Sequence, residues 1–263
     1  MLLGELAEQG VGGGAVGQDV VVDGRVDQVH DPKLAVTLTA MDLVEAARAG
    51  LAEAADPVKA EGMRAYMKSA MPFRGVAKPE RAKLARALFA AHPMPDRDTW
   101  RATALRLWRE AEYREERYLA LDLTGAYRRW QDVDLLPLYD ELVVTGAWWD
   151  FVDEVASRRV GPLLRAHPAE VAAVMRTWSG DADRWRRRTS VICQLGARWA
   201  TDTDLLTDCV EATTADPDFF LRKAIGWALR DYAKTDPAWV RDFVDTHPAL
   251  SPLSRREALK HLG

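Results

Sequence analysis

From residue 41 to its end, the chain is an uninterrupted series of helix-length segments separated by proline-containing dipeptides. About a dozen segments of roughly 10 to 18 residues occur, an ordinary length for helices. Proline suits the first turn of a helix or a connection, and the dipeptides are Asp56-Pro57, Lys78-Pro79, His92-Pro93, His167-Pro168, Asp216-Pro217, Asp236-Pro237 and His247-Pro248. No alternating run rich in Val, Ile or Thr follows residue 40, so the pattern predicts an all-α fold.

Short helices in regular succession are typical of stacked helix pairs. We therefore predict a HEAT-like or armadillo-like helical-repeat solenoid over residues 41–263. The concave face of such a solenoid suits a long ligand. The repeat is not visible as self-similarity in the sequence, and an irregular orthogonal bundle is the alternative that the pattern leaves open.

Residues 1–40 differ from the rest of the chain. They contain five glycines between Gly10 and Gly17 and a short strand-like stretch at residues 20–24, but they lack the charged and apolar regions of a secretory signal. Two interpretations are open: a disordered extension, or translation that begins at Met41, where the helical pattern starts. We favour the second as a hypothesis, and detection of a native peptide from residues 1–40 would contradict it.

Composition limits the classes of function. The apolar runs are too short to span a membrane, Cys193 and Cys209 lack C-x-x-C spacing, and the five histidines are scattered. We therefore expect an intracellular protein with no structural metal and no cofactor. The net charge is −4, but residues 1–56 hold only 3 of the 36 Lys and Arg and 10 of the 40 Asp and Glu. The remainder is slightly basic, so a nucleic-acid partner is not excluded.

Residues 219–232 predict a helix with two distinct faces. At about 100° per residue, one face is apolar: Leu221, Ile225, Leu229 and Tyr232. The opposite face carries aromatic and cationic side chains: Phe220, Lys223, Trp227 and Arg230. An aromatic ring flanked by cations suits a phosphate backbone with a sugar or base against the ring. The alternative is that Trp227 packs on the next repeat while Lys223 and Arg230 are solvated.

A second segment carries an aromatic residue and a carboxylate outside its core stripe. The predicted core residues are Trp148, Phe151, Val152 and Val155. Trp149 and Asp153 fall off this stripe, four residues apart, and can touch on one surface. A carboxylate beside an indole could stabilise a developing cation. The alternative is an ordinary flanking Asp beside a Trp that fills a repeat junction.

A third segment, residues 183–192, places an arginine inside an apolar face. The predicted face consists of Trp185, Ile192, Leu195 and Trp199, and Arg188 projects within it. Such an arginine needs a carboxylate, carbonyls or a bound anion, so a buried structural ion pair and a ligand role are both open. Three neighbours are expected to form a solvated basic patch suited to phosphate: Arg184, Arg186 and Arg187.

Tyr66 lies in a further helical segment, beside Met63 and Ala70. The pattern alone predicts that it is a core tyrosine.

These segments together resemble the AlkD-type DNA alkylation-repair glycosylases. The resemblance runs from about Met41 to the C-terminus with matching order and spacing, and it is most specific over residues 219–232. It also includes residues 66–68, 75–81, 148–153, 185–188 and 254–258. It implies a HEAT-like α-solenoid with a concave DNA-binding face. It further implies hydrolysis, without a metal, of the N-glycosidic bond of N3- and N7-alkylated purines such as 3-methyladenine and 7-methylguanine.

The resemblance also implies roles for individual residues. By position, Asp153 is the catalytic carboxylate, Trp149 and Trp227 are the aromatic residues at the lesion, and Arg188 is the active-site arginine. The predicted DNA-binding residues are Tyr66, which matches the family's tyrosine at the DNA face, with Lys223, Arg230, Arg187 and Phe220 from the patterns above.

The expected partner is duplex DNA containing alkylated purines, bound by a monomer in the cytoplasm, at the nucleoid, with no role for a membrane. No lysine is needed for a Schiff base, so we expect a monofunctional base-excision-repair glycosylase without strand cleavage. Two alternatives stay open: a non-catalytic DNA-binding HEAT-repeat protein and a protein–protein scaffold.

Overall fold

The computed structural model describes residues 42–262, and all regular structure within them is helical. No β-strand occurs in that range, so the predicted all-α class is confirmed. Residues 1–40, for which a disordered extension or a later start of translation was expected, lie outside the described residues. The chain divides into two compact units, one ending at Trp130 and the other beginning at Gln131.

The helices of the first unit are α1 (Leu43–Glu53), α2 (Pro57–Met67), α3 (Lys78–Ala91), α4 (Arg97–Arg109) and α5 (Arg114–Ala126), followed by a 3₁₀ turn at Arg128–Trp130. Asp42, Asp56 and Asp96 begin α1, α2 and α4, and each carboxylate accepts a backbone N–H of the first turn, as N-capping requires. α3 packs against α1 and α5, and α4 packs against α5.

A buried carboxylate fixes the loop between α2 and α3. Glu115, in the first turn of α5, is fully buried and accepts the backbone N–H groups of Arg74, Gly75 and Val76 at 2.8–3.1 Å. Gly75 has φ +84°, and a Cβ there would lie 2.0 Å from the carbonyl oxygen of Asp56. Only glycine fits this position. The loop therefore closes tightly on the start of α2.

The helices of the second unit are α6 (Leu136–Gly146), α7 (Trp149–Val155), α8 (Gly161–Ala166), α9 (Pro168–Ser179), α10 (Arg184–Ile192), α11 (Thr203–Thr213), α12 (Phe219–Tyr232), α13 (Pro237–Thr246) and α14 (Pro252–Ala258). A π-helical turn, Ala156–Val160, joins α7 to α8. Pro57, Pro168 and Pro237 each occupy the first residue of a helix, as the dipeptides predict.

Helices of the second unit pack mainly against close neighbours in the chain. α9 contacts α10 and α11, α10 contacts α11 and α12, and α12 contacts α13 and α14. Contacts with the next helix and the next but one are typical of helical repeats, so the predicted helical-repeat class is confirmed. α10 also packs against α6 and α7, which makes it the central helix of this unit.

Two further properties concern the described part of the chain. None of its helices combines the length and the apolar character needed to cross a membrane. Residues 42–262 also contain no group of three or more His, Cys, Asp or Glu placed to hold a metal ion. Cys193 and Cys209 are buried free thiols, and burial raises the pKa of both, that of Cys209 to about 12.

Candidate active site

The helix α12 has the bounds and the core stripe that its sequence predicts. Its N-cap, Asp218, accepts the backbone N–H of Phe220 and Leu221 at 2.7 and 3.2 Å. The apolar stripe faces the core: Leu221, Ile225 and Leu229 are buried and Tyr232 is half-buried at its edge. The other face is half-buried along its length, at Phe220, Lys223, Trp227 and Arg230.

The helix α7 presents Trp149 and Asp153 outside its core stripe, as predicted. A left-handed residue, Ala147 (φ 45°), ends α6, and only Trp148 separates it from α7. Phe151, Val152 and Val155 are fully buried, whereas Trp149 and Asp153 are half-buried. The stripe prediction is less accurate for Trp148, which is half-buried and contacts the rings of Trp185 and Phe220.

Arg188 on α10 joins three helices. Its Nε and Nη2 donate to the two carboxylate oxygens of Asp153 at 2.7 and 2.8 Å. Its Nη1 donates to the backbone carbonyl of Phe220 at 2.5 Å. The partners of this buried arginine are therefore a carboxylate from α7 and a carbonyl from α12, two of the kinds of partner that its position in an apolar stripe requires.

The charge state of Asp153 is set by two opposed effects. Burial raises the pKa of Asp153, and the Arg188 guanidinium opposes this rise; the net pKa lies above the ordinary value of 3.8. Both carboxylate oxygens accept N–H groups from the guanidinium, which is the geometry of an ionised carboxylate. The side chain of Asp153 retains 15% exposure against 6% for Arg188, so Asp153 is the more accessible member of the pair.

The π-helical turn begins at Ala156, three residues after Asp153. The Ser157 hydroxyl donates to the Asp153 carbonyl at 2.6 Å. Gly161, where α8 begins, has no room for a side chain, because a Cβ there would lie 2.3 Å from the carbonyl oxygen of Cys193. The turn thus lies against the C-terminal end of α10, and π-helical turns of this kind are frequent at functional sites.

Lys223 and Arg230 share one acidic partner. Lys223 Nζ and Arg230 Nη1 lie 3.0 and 2.5 Å from the two carboxylate oxygens of Glu257, on α14. Glu257 is buried; its burial would raise the pKa of the carboxyl, but the hydrogen bond from Lys223 and the two nearby cations outweigh it, and the net pKa is lowered. The alternative in which Lys223 and Arg230 are simply solvated is therefore wrong.

Close packing brings Glu257 to α12. A Cβ on Gly226 would lie 2.4 Å from the Glu257 Cβ and 2.9 Å from the Ser254 carbonyl oxygen. The glycine therefore allows α14 to approach beside Lys223 and Arg230. Sequence reasoning missed Glu257 as a partner, although it lies in the segment 254–258 that contributes to the resemblance.

The expected solvated patch of arginines is wrong for two of its three members. Arg186 is half-buried and makes a bidentate pair with Asp140 of α6, both distances being 2.7 Å. Arg187 is half-buried and pairs with Asp216 at 2.9 Å. Arg184 is exposed, as expected, although it pairs with Asp218 at 3.1 Å. The carboxylates come from other elements, so the local pattern does not show them.

Two aromatic residues are more exposed than their patterns predict. Tyr66 is 38% exposed rather than a core residue, because α2 ends at Met67 with Lys68 in the left-handed region, and Ala70 is therefore not on the same helix. Trp199 is 78% exposed and not part of the α10 stripe, because α10 ends at Ile192. Tyr66 belongs to the first unit; the other candidate site residues belong to the second.

The fold and this arrangement define a class: an all-helical repeat protein in which a carboxylate is paired with a buried arginine next to aromatic side chains. The profile of the family described as DNA alkylation repair enzyme matches residues 47–262. A solved structure described as a predicted DNA alkylation repair enzyme from Enterococcus faecalis is 31% identical, with a TM-score of 0.73, over 80% of this chain and 97% of that chain. Curated protein sequences gave no match. The chain belongs to the DNA alkylation repair enzyme family, and the resemblance seen in its sequence is confirmed.

Proposed function

We propose that this protein is a monofunctional DNA glycosylase that hydrolyses the N-glycosidic bond of N3- and N7-alkylated purines, such as 3-methyladenine and 7-methylguanine, in duplex DNA. Membership of a DNA alkylation repair family supports the general role. The observation that carries the specific reaction is the Asp153 carboxylate, held through both oxygens by Arg188 and the more exposed member of that pair. The proposal includes a monomer that acts in the cytoplasm, at the nucleoid.

The substrate supplies much of the driving force. An N3- or N7-alkylated purine nucleotide carries a positive charge on its base. When the C1′–N bond breaks, the electron pair leaves with the purine, which departs neutral, and the charge moves to the deoxyribose as an oxocarbenium ion. Water then adds to C1′ and releases a proton, so the products are a free base, an abasic site and H⁺. No covalent enzyme intermediate is required.

Asp153 is the residue that acts on this cation. An ionised carboxylate close to C1′ stabilises positive charge that develops only in the transition state, which is the kind of interaction that raises the rate. The same carboxylate accepts a hydrogen bond from the attacking water and orients it. Arg188 acts through Asp153: its two hydrogen bonds fix the carboxylate and favour its ionised form. The geometry supports this positioning role over a direct clamp on phosphate.

The aromatic and cationic residues would hold the DNA. Trp149 lies one turn before Asp153 on the same helix, and Trp227 lies on the outer face of α12. Their indole faces suit the sugar and the positive charge of the lesion. We assign contacts with the DNA strands to Tyr66, Phe220, Arg187, Lys223 and Arg230. Of these, Tyr66 is the most open, whereas the three cations would meet phosphate while keeping their acidic partners.

The test is release of the damaged base. Purified protein should release 7-methylguanine or 3-methyladenine from methylated duplex DNA and leave abasic sites without strand cleavage. Asp153→Asn should lose most of this release while its affinity for duplex DNA persists. Asp150→Asn is the matched control, because it makes the same change on the same helix three residues earlier, and it should remain active.

Three outcomes separate the alternatives. Full activity of Asp153→Asn would overturn the catalytic assignment. Wild-type protein that binds duplex DNA but releases no base would be the non-catalytic DNA-binding protein that the sequence left open. Wild-type protein with no affinity for DNA would support a protein–protein scaffold.

A further inference from the structure

One tryptophan of this chain is exposed on a connection between helices. All ten tryptophans lie within the described residues, and nine of them are buried or half-buried. Trp199 is 78% exposed, on a 3₁₀ turn, Arg198–Ala200, between α10 and α11. Single exposed apolar residues are common on protein surfaces, so exposure alone does not assign a role to Trp199.

The loop that carries Trp199 is held at both ends. The side-chain amide of Gln194 donates to the Asp202 carbonyl at 2.9 Å and accepts the Asp202 backbone N–H at 2.7 Å. Gln194 is buried. Backbone hydrogen bonds from Ala197, Ala200 and Thr201 brace the loop between these anchors. Trp199 is therefore presented by a fixed loop, and little conformational entropy would be lost when a ligand binds it.

The loop adopts an unfavourable backbone conformation next to Trp199. Arg198 has φ 55° and Gly196 has φ 78°. Glycine takes positive φ without cost, but an arginine in the left-handed region is disfavoured. Such conformations persist where the surrounding structure enforces them, and they concentrate at ligand-binding sites. The strained residue is a cation that directly precedes the exposed indole.

The loop is attached to the helix that carries Trp227. The backbone N–H of Gly196 donates to the Asp231 carboxylate at 2.6 Å. Phe220, Trp227 and Asp231 lie on one stripe of α12, within about 40° of one another around the helix axis. Trp199 is three residues beyond Gly196, so its Cα lies within about 10 Å of that attachment. The backbone that carries the exposed indole is thus tied to the end of the α12 stripe that includes Trp227.

We propose that this loop, residues 195–201, is a second DNA-contacting element, in which the Trp199 indole packs against a sugar or base that flanks the lesion and Arg198 binds a neighbouring phosphate. The inference rests on the proposed function, because it requires duplex DNA on the α12 face. An indole offers a sequence-independent stacking surface, and a neighbouring guanidinium pairs with phosphate. The element would hold the undamaged nucleotides and leave Trp149, Asp153 and Trp227 to the damaged one.

The experiment measures affinity for undamaged duplex DNA by fluorescence anisotropy at several salt concentrations. Trp199→Ala should weaken binding by about ten-fold, and Trp199→Phe, which keeps a ring, by about two- to three-fold. Arg198→Gln should reduce the slope of the logarithm of affinity against the logarithm of salt concentration, by the amount expected for the loss of about one phosphate contact. Arg165→Gln, at an exposed arginine of α8, is the matched control and should bind like the wild type.

Steady-state base release gives a second measurement. Trp199→Ala should raise KM and leave kcat unchanged, because the loop touches only undamaged nucleotides. An unchanged melting temperature would show that the loss of affinity is not a folding defect, as expected for an exposed side chain. If Trp199→Ala does not fold, Trp199→Phe replaces it in the test. A Trp199→Phe protein that keeps its fold and binds DNA with intermediate affinity supports the proposal.

The outcomes distinguish this inference from the proposed function. Wild-type-like affinity of Trp199→Ala overturns the role of the loop, even if the wild type releases alkylated bases and the proposed function stands. Wild-type protein that binds duplex DNA through Trp199 but releases no base supports the loop and overturns the glycosylase. Wild-type protein without affinity for DNA overturns both.

Discussion

Arg188 donates hydrogen bonds to both carboxylate oxygens of Asp153, at 2.7 and 2.8 Å. The two residues come from different helices and are 35 positions apart in the sequence. Removal of one partner from such a buried pair leaves the other charge uncompensated, which is costly. In the function that we propose, catalysis and folding therefore depend on the same contact, and variants at these positions require a measurement of stability beside each measurement of activity.

The first prediction concerns the pH dependence of base release. Burial raises the pKa of Asp153 above its ordinary value of 3.8, and in the proposed mechanism only the ionised carboxylate stabilises the sugar cation. Activity should therefore be complete well above this raised pKa and be lost as the pH falls through it. Single-turnover release of 7-methylguanine as a function of pH, corrected for spontaneous depurination, measures this acid limb.

The control for this prediction is Arg188→Gln. Because the guanidinium lowers the pKa of Asp153, its removal should move the acid limb of the residual activity to higher pH. An acid limb at or below the ordinary value of an aspartate, or a shift to lower pH in Arg188→Gln, would contradict the assignment of Asp153.

A second prediction concerns Glu257 and stability. The net pKa of Glu257 is lowered from its ordinary value of 4.5, so its ionised form stabilises the fold above that pH, and this contribution is lost as the pH falls through the lowered pKa. Glu257→Gln should lower Tm by a few degrees at neutral pH, and the difference should shrink on acidification. Glu61→Gln, at an exposed position of α2, is the control and should change Tm little at any pH. A Tm difference between Glu257→Gln and the wild type that grew on acidification would contradict the prediction.

A third prediction concerns the cations beside Trp227. If Lys223 and Arg230 both meet phosphates, the double variant Lys223→Gln, Arg230→Gln should weaken duplex binding. It should also reduce the slope of log affinity against log salt concentration by the amount expected for about two lost phosphate contacts. Titration of labelled undamaged duplex at several salt concentrations measures this slope. An unaltered slope would mean that the two cations serve only to hold Glu257 and α14.

A fourth prediction uses two glycines in helices. A methyl group at Gly226 would meet Glu257 and the backbone of Ser254, so Gly226→Ala should destabilise the protein by about 1–3 kcal/mol. A methyl group at Gly62, on α2, would meet no neighbouring atom within 4 Å, and Gly62→Ala should stabilise by about 0.5–1 kcal/mol through higher helix propensity. Urea unfolding measures the free energy of unfolding of both variants. Equal effects of the two changes would show that α12 and α14 are not closely packed at Gly226.

The parts of the fold that sequence predicts well are those set by local periodicity. α12 begins and ends where its pattern does, and Leu221, Ile225 and Leu229 are buried, because a helix of 14 residues with one apolar stripe has few ways to pack. The patterns around Tyr66 and Trp199 mislead for a common reason: each runs past the end of a helix, where the 3.6-residue period no longer applies. Ala70 lies beyond the end of α2, and Trp199 itself lies beyond the end of α10.

The candidate site likewise has features that the sequence predicts and features that it does not. The pattern predicts that Trp149, Asp153 and Trp227 lie outside their core stripes, because the face on which a residue lies is set by its own helix alone. It also showed that Arg188 needs a partner, but not that the partner is Asp153, since contacts between helices depend on how they pack. The same holds for Glu257, which accepts from Lys223 and Arg230 across 34 and 27 positions of sequence.

The connection of Arg188 to three helices has a consequence for how the protein would lose the proposed activity. The carboxylate, the guanidinium and the Phe220 carbonyl are supplied by α7, α10 and α12, so local unfolding of any one of them separates the ion pair before the whole chain unfolds. Partly unfolded states of the second unit would then be inactive toward the lesion whatever DNA they still hold. Amide hydrogen exchange in these three helices should therefore report heat inactivation more directly than the global melting temperature does.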